Sequence, residues 1–539
     1  VFHDFIVHGR DVMVTVHRRI IWLMHVACIG FAILIVRLFW VSIVYRFESR
    51  TACAEIMIRR EIVDAQGKVL AQSLPSFSLA AKPALIGDLE ETVQDLHRVL
   101  PFLSKSFLRK KLSSKKRFVW VCRQLSPRMR LQVLALGIEG LELFKTQKRV
   151  YPYENLFSHI LGAVDVEQQG VAGIEKGCNQ ELLDSSLVHK SVQLSVDVRL
   201  QYVLRKEILA CMKVFQAEGG NAVLADLRTG EILAMVSIPD FNSNVKDQAF
   251  VRSAFNRNTS GVYEFGSILK IHNLALFLDA QKGTLDTVFD ATHPLAVGRF
   301  LVKDFKGKCR PLTVQEGFLY SSNIVNGKMA LESGIAAQKE FFAKMGFFSP
   351  IRLEVPEFAM PLIPRWSQAR LITSGYGYGF SVTPLHIIQS LQILLNYGKK
   401  VALTLRKRSG GSIPSEPSVL KHPHISQILA QIMELAVKDG QAHKVKTLYC
   451  RVGAKTGTAN TLIKGRYKEQ CNLTSCVAVF PIPMPRYVLL VSVDRPKGNA
   501  STHYYNTAGW IAAPVAQRII EQIVGFLGVM QSEGSVKAP

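Results

Sequence analysis

The sequence predicts an α+β protein in three parts: a membrane-spanning helix, an elongated α+β module, and a larger α+β domain that carries the chemistry. Three observations lead there. One apolar stretch near the N-terminus is long enough to cross a bilayer. Residues 55–190 mix short β-rich runs with helical ones. From residue 191 onward the order is helix, hairpin, helical middle and late strands, which describes a sheet whose edges come from both ends of one domain. At 539 residues the chain exceeds what one core usually organises, and 48% hydrophobic content against 20% charged residues excludes wholesale disorder.

The first element is the span. From Ile20 to Val36 only His25 is polar, and after Arg37 the apolar character continues through Val44. Twenty-five residues rising about 1.5 Å each reach roughly 37 Å, enough for a hydrocarbon core near 30 Å thick. A cleaved signal peptide fits less well, because the stretch exceeds an ordinary apolar region and Ala52-Cys53-Ala54 lies well past its end. Arg10, Arg18 and Arg19 precede the span and Arg46, Arg50, Arg59 and Arg60 follow it, so charge does not set the orientation.

Next comes the module. Ile56 to Ile58 and Phe118 to Cys122 read as strands and Glu90 to Leu100 as a helix. Its excess charge is local. Thirteen Lys and Arg side chains lie between Lys105 and Arg149 against Glu139 and Glu142, within an overall formal charge of +24. A solvated basic face accounts for this. No helix-turn-helix, finger or aromatic-basic RNA motif accompanies it, so nucleic acid is not an expected partner. Nine cysteines occur without a C-x-x-C pair or a His/Cys ligand cluster, which argues against structural zinc and for buried free thiols; Cys471 and Cys476 are the pair an oxidising compartment could join.

In the last domain Val192 to Val196 reads as a strand, Val198 to Phe215 as a helix, and Asn221 to Asp226 with Glu231 to Val236 as a hairpin closed at Thr229-Gly230. Helices are expected at Ile268 to Gln281, Val314 to Leu319 and Pro384 to Tyr397, then strands at Thr474 to Phe480 and Tyr487 to Val493. Three short elements inside this domain carry hydroxyl, amine and amide groups. Gly266-Ser267-Ile268-Leu269-Lys270 opens an apolar helix, where positions three apart share a face and Ser267 can reach Lys270. Backbone N–H groups and the positive end of the helix dipole also lie near the serine. Ser-x-x-Lys alone is weak, since it also begins at Ser113, Ser243 and Ser418. Ser321-Ser322-Asn323 is the sole Ser-x-Asn, 54 residues after Ser267, and Lys455-Thr456-Gly457-Thr458 holds the sole Lys-Thr-Gly. On a strand, that last run presents a cation and hydroxyls while Gly457 permits close approach. All three in this order within one domain form a specific signal.

On these motifs the sequence resembles the serine penicillin-recognising acyltransferases, and within them a class B penicillin-binding protein: a monofunctional peptidoglycan D,D-transpeptidase of the division-specific type. Val262 to Ser267 is similar to that family's lead-in to its nucleophile, and Gly375-Tyr376-Gly377-Tyr378-Gly379 with Thr383-Pro384-Leu385 to its segment between the second and third motifs. Asp197 to Gln201 and Asp226 to Asp240 resemble the start of its transpeptidase domain. In the module, Arg59, Ile62, Asp64, Gly67, Leu70 and Ala71 match the family's first box, Tyr151-Pro152 with His159 and Gly162 a second, and Gly170 to Glu175 a third, so the likeness covers about residues 55–525. Arg60, Ala65, Glu154, Phe265 and Ile268 depart from the pattern.

The resemblance implies an antiparallel sheet with helices on both sides and a helical subdomain. It divides the chain into a short cytoplasmic segment (1–19), a signal anchor (20–44), a pedestal or dimerisation-type module (45–190), the transpeptidase domain (191–530) and a tail (531–539). It assigns Ser267 as nucleophile, Lys270 as base, Ser321 as proton relay, Asn323 as the group that orients Lys270, and Lys455 as a source of positive field. Thr456, Gly457 and Thr458 would bind the substrate's terminal carboxylate, with the backbone N–H groups of Ser267 and Thr458 as oxyanion donors. No metal or organic cofactor is implied. The implied partners are peptidoglycan stem peptides and their lipid-linked precursor, β-lactams as covalent inhibitors, the inner membrane with the catalytic domain periplasmic, and a divisome glycosyltransferase with associated proteins. Two other functions use the same motifs: a hydrolase (carboxypeptidase or β-lactamase), which would release D-Ala without cross-linking, and a β-lactam sensor or scaffold. A sensor calls for a cytoplasmic effector domain, for which residues 1–19 are too few.

Overall fold

The computed structural model describes residues 17–40, 58–245, 253–298, 300–408, 410, 416–463 and 466–530. Helix α1 (His17–Trp40) is the span. The His25 ring bonds the Ile21 carbonyl at 2.7 Å, one turn back, so the polar group inside the apolar run is satisfied by its own helix. The expected continuation to Val44, residues 1–16 and the tail from 531 lie outside the described residues.

Residues from Ile58 onward form a separate unit. Its first module is built on β1 (Ile62–Val63) and the long strand β2 (Val69–Ala81), followed by α2 (Leu89–Val99), α3 (Lys105–Leu112), β3 (Val119–Leu125), α4 (Pro127–Leu134) and β4 (Leu141–Val150). Sequence explains each helix start. Asp88, Ser104 and Ser126 cap the three N-termini by accepting from the backbone N–H three residues on, and Pro127 occupies the first turn of α4, where its missing donor costs nothing. Leu79 and Ala81 of β2 pack against Val93, Leu96, Leu108, Leu112 and Val133 in a small separate core. Most of the 13 basic side chains between Lys105 and Arg149 sit on the outside of this subdomain.

At its base the module joins the next domain. Ile62, Leu70, Tyr151, Phe157 and Ile160 share one core with Val223, Ile232, Leu385 and Val488. Val192–Gln193, expected as the first strand of the transpeptidase, instead pairs in parallel with β1 as β5, and Leu194 then bridges to Arg406. The strand anticipated at 56–58 is not seen at Ile58, which precedes β1, and residues 56 and 57 lie outside the described residues.

The second domain begins with α5 (Val198–Phe215), capped by Asp197, and the hairpin β6 (Gly219–Asp226) and β7 (Ile232–Ile238). It continues through α6 (Lys270–Asp279), α7 (Asn323–Ser333), α8 (Pro384–Leu395) and α9 (Ile425–Lys438). It closes with β8 (Gly453–Ile463), β9 (Arg466–Phe480), β10 (Tyr487–Asp494) and α10 (Ala512–Ile523). The antiparallel sheet runs β8-β9-β10-β6-β7, so its two ends do come from the two ends of the domain. Both faces are covered. Ala222, Leu224, Leu489 and Val491 pack with α5 and α10, while Val223, Ala225, Val488 and Leu490 face the core shared with α6, α8 and α9. A strand buried on both sides needs apolar residues at every position, which is why β10 reads Tyr-Val-Leu-Leu-Val-Ser-Val. All 12 residues of α8 are buried for the same reason, with Pro384 at its first turn.

Candidate active site

The turn that carries Ser267 is a 3-10 turn, Gly266–Leu269, that runs into α6. The tighter turn eclipses residues three apart, so Ser267 and Lys270 share one side. Two crossings fix it in place. Tyr263 exchanges backbone hydrogen bonds with Val382 at 2.9 and 3.0 Å, and Gly266 N–H donates to the Gly377 carbonyl at 3.1 Å. Gly379 N–H donates to the Glu264 carboxylate at 2.6 Å. The lead-in and the Gly375–Gly379 segment, far apart in sequence, thus form one wall. Phe265 and Ile268, two departures from the pattern the sequence resembles, are 1% and 0% exposed and serve as core residues.

The Lys-Thr-Gly run lies on β8, with Lys455 opposite Val477 on β9. A side chain at Gly457 would place its Cβ 2.3 Å from the Phe265 carbonyl oxygen, so glycine lets the strand run directly beneath the Ser267 turn. By strand alternation Thr456 and Thr458 share the face opposite Lys455 and Gly457. Thr458 Oγ1 accepts from Ala508 N–H at 3.0 Å, which ties β8 to the segment before α10.

Ser321 holds the centre. It adopts φ +59, a left-handed conformation that costs a non-glycine residue about 1–3 kcal/mol and persists only where surroundings impose it. From there Ser321 Oγ stands 3.0 Å from Lys270 Nζ and 3.0 Å from Lys455 Nζ. Lys270 Nζ also donates to the Ser321 carbonyl at 2.5 Å and to Asn323 Oδ1 at 2.8 Å. The expected direct bond from Lys270 to Ser267 is not formed: among the described residues Ser267 Oγ has no hydrogen-bond partner, because the Lys270 amine is drawn to the carbonyl and amide oxygens of the Ser-Ser-Asn turn.

Two amines that share one hydroxyl lie no more than about 6 Å apart, where like charge disfavours both cations. Lys270, fully buried, is held well below the usual lysine range by burial first and by Lys455 second, with Asp304 opposing. Burial lowers Lys455 to about 7, partly offset by the Cys476 thiol. Cys476 itself is pushed up to about 12 by burial. It and Cys471 are free thiols five positions apart on one strand, hence roughly 17 Å distant and on opposite faces.

Sequence reasoning missed Asp304. It follows the hairpin Leu295–Val297 and Phe300–Val302, and its carboxylate accepts from Ser322 Oγ at 2.7 Å, Asn323 N–H at 2.5 Å and Ile324 N–H at 3.1 Å. The adjoining Lys303 carbonyl accepts from Asn323 Nδ2 at 2.9 Å. No local signal marks an aspartate in Lys-Asp-Phe-Lys as anything but a solvated charge.

The module's first and third boxes also meet. Glu175 of the third accepts from Arg59 of the first and from Arg149 at 2.7 Å, and all three side chains are buried. Arg60, in place of the family's glycine, donates to the Lys190 carbonyl at 2.6 Å. Glu154, also in a glycine position, keeps a glycine-like φ of +49 with an exposed side chain. Glu154→Gly is therefore expected to raise stability by about 0.5–1 kcal/mol, the strain relieved less the entropy glycine adds to the unfolded chain. Chemical denaturation of the two forms checks this.

A hydroxyl at the head of a helix, two buried amines joined through a second hydroxyl, and an amide on one of them define a serine acyltransferase centre. Residues 220–521 match the family model "Penicillin binding protein transpeptidase domain", and residues 57–185 match the penicillin-binding protein dimerisation domain. The chain is 33% identical over 482 residues to the probable peptidoglycan D,D-transpeptidase FtsI of Caulobacter vibrioides, covering 87% of this chain and 82% of that one. It is 27% identical over 506 residues to Escherichia coli FtsI, covering 87% and 84%. Penicillin Binding Protein 2X of Streptococcus thermophilus shares the fold, with TM-score 0.71 at 20% identity over 89% of this chain and 82% of that one. The chain belongs to the penicillin-binding protein transpeptidase family and is a class B member of the division type.

Proposed function

We propose that this chain is a membrane-anchored peptidoglycan D,D-transpeptidase that cross-links stem peptides during septal wall synthesis through an ester on Ser267. The observation that carries the assignment of residues is the single hydroxyl of Ser321 set 3.0 Å from both Lys270 Nζ and Lys455 Nζ. Neutral Lys270 takes the Ser267 proton as Oγ bonds the carbonyl carbon of the penultimate D-Ala. Backbone N–H groups of Ser267 and Thr458 stabilise the oxyanion. When the C–N bond breaks, the leaving D-Ala amine takes the proton from Lys270 by way of Ser321, which touches both amines. An amine of a neighbouring stem peptide then attacks the ester, forms the new amide and returns Ser267 its proton. Asn323 orients Lys270, Lys455 contributes positive field, and Thr456 and Thr458, on the other face of β8 at the edge of the sheet, bind the terminal carboxylate.

The substrate lies outside the inner membrane, so α1 anchors the chain there, with the short segment before it cytoplasmic and the module and catalytic domain periplasmic. β-Lactams acylate Ser267 in place of the peptide. The basic face of the module meets an anionic lipid-linked precursor, and a divisome glycosyltransferase supplies the glycan strand. A fluorescent penicillin tests the nucleophile: Ser267→Ala is expected to lose labelling completely, and equal labelling of both proteins removes the assignment. With a pentapeptide donor and an amine acceptor, cross-linked product is expected. Free D-Ala without amine capture makes the chain a hydrolase.

A further inference from the structure

Asn323 and Ser321 bond Lys270, and their own turn holds them only in part, through Ser321 N–H to the Phe318 carbonyl and Val325 N–H to Ser322 Oγ, both at 3.1 Å. Ser321 is strained, and the first N–H groups of α7 face away from any helical partner. What meets them is a carboxylate from another element. Asp304 accepts from Ser322 Oγ, Asn323 N–H and Ile324 N–H at 2.7, 2.5 and 3.1 Å, and the Lys303 carbonyl holds the Asn323 amide at 2.9 Å. Asn323 is thus gripped at its backbone N–H and its side-chain amide, which leaves Oδ1 aimed at Lys270 Nζ. We propose that Asp304 is a positioning residue of the transpeptidase site: it locks the Ser321–Asn323 turn and places a negative charge facing the Lys270 amine.

The second role follows from what surrounds Lys270. Lys455 of β8 shares the Ser321 hydroxyl with it and disfavours its cation, Asp304 of the loop after the hairpin favours the cation, and the Cys476 thiol of β9, paired with Thr456 in the ladder, also acts on Lys455. Asp304 therefore opposes Lys455 and keeps Lys270 able to hold the proton it takes from Ser267, rather than surrendering it early.

The inference rests on Ser267 and Lys270 carrying out acylation, and the test separates the two. The full chain in detergent micelles is acylated by a fluorescent penicillin across a range of pH, as wild type, Asp304→Asn, Asp304→Ala and Ser267→Ala. Asparagine is isosteric and can still accept from the two backbone N–H groups, so it removes charge while keeping the fold. The rate rises with pH as Lys270 loses its proton. Without the Asp304 charge that loss comes sooner, so the acid limb of Asp304→Asn is expected at lower pH than in wild type. Asp304→Ala, which also orphans two N–H donors, is expected to lose about tenfold or more in acylation rate. If the alanine form fails to fold, the asparagine form still decides the matter. A role confined to shape lowers rate or stability and leaves the pH midpoint in place, so an Asp304→Asn midpoint equal to or above that of wild type overturns the proposal. Labelling that survives in Ser267→Ala overturns both readings, whereas an unmoved midpoint with Ser267→Ala silent overturns only this one.

Discussion

Replacing Lys270 by alanine is expected to lower the rate of acylation by a β-lactam by about 10³-fold, within the range that positioned general bases supply. The side chain is fully buried, and its amine bonds the Ser321 carbonyl and hydroxyl and the Asn323 amide oxygen. Its loss therefore removes the base and also empties the cavity that joins the three motifs. The sign of the pH effect is fixed by the neighbours. Burial and Lys455 hold Lys270 well below the ordinary lysine range, so the neutral amine is available far below the pH at which an exposed lysine would supply it. Lys455→Met removes one of those two causes. The acid limb of the acylation profile is then expected to move to higher pH, because Lys270 keeps its proton longer. A limb that stays in place would assign the titration to another group. Because the amines interact, the wild-type profile reports the pair.

Glu175→Ala is expected to destabilise the unit from Ile58 onward by about 3–5 kcal/mol, since it leaves two guanidinium groups buried without their carboxylate. Arg59 and Arg149 are 1% and 4% exposed and both bond Glu175, and Arg149 also reaches the Arg60 carbonyl at 2.8 Å. Arg59 further donates to the Gln168 carbonyl at 3.0 Å and to Asn179 Oδ1 at 2.8 Å. The ion triad therefore ties the start of the module to its end. Urea denaturation followed by intrinsic fluorescence measures the loss, and a change below about 1 kcal/mol would show that the arginines find other partners or water. Ser267 belongs to a different wall of the protein, so the folded fraction of Glu175→Ala should still be acylated.

The departures from the family pattern have separate physical outcomes. Phe265 and Ile268 are absorbed by the core, Arg60 finds carbonyl and carboxylate partners, and Glu154 carries the backbone strain its glycine counterpart would avoid.

By itself the sequence determined everything that repeats or that is local. The body of the apolar span, α5 at Val198–Phe215, the helix at Val314–Leu319, β10 and the second half of β9 were legible from apolar periodicity, because burial of a helix face or a strand leaves a regular trace in the chain. The three motifs whose Lys270, Ser321, Asn323 and Lys455 side chains meet were legible as an ordered set. Tertiary structure alone decided how those groups meet: that Ser321 rather than Ser267 takes the Lys270 amine, that its backbone is left-handed, that Val192–Gln193 joins the pedestal sheet, and that Asp304 grips the Ser-Ser-Asn turn from 17 or more residues away. Such contacts join segments of no fixed separation, so no periodicity or spacing encodes them. They exist only once the two sides of the groove have been brought together by the cores on which they rest.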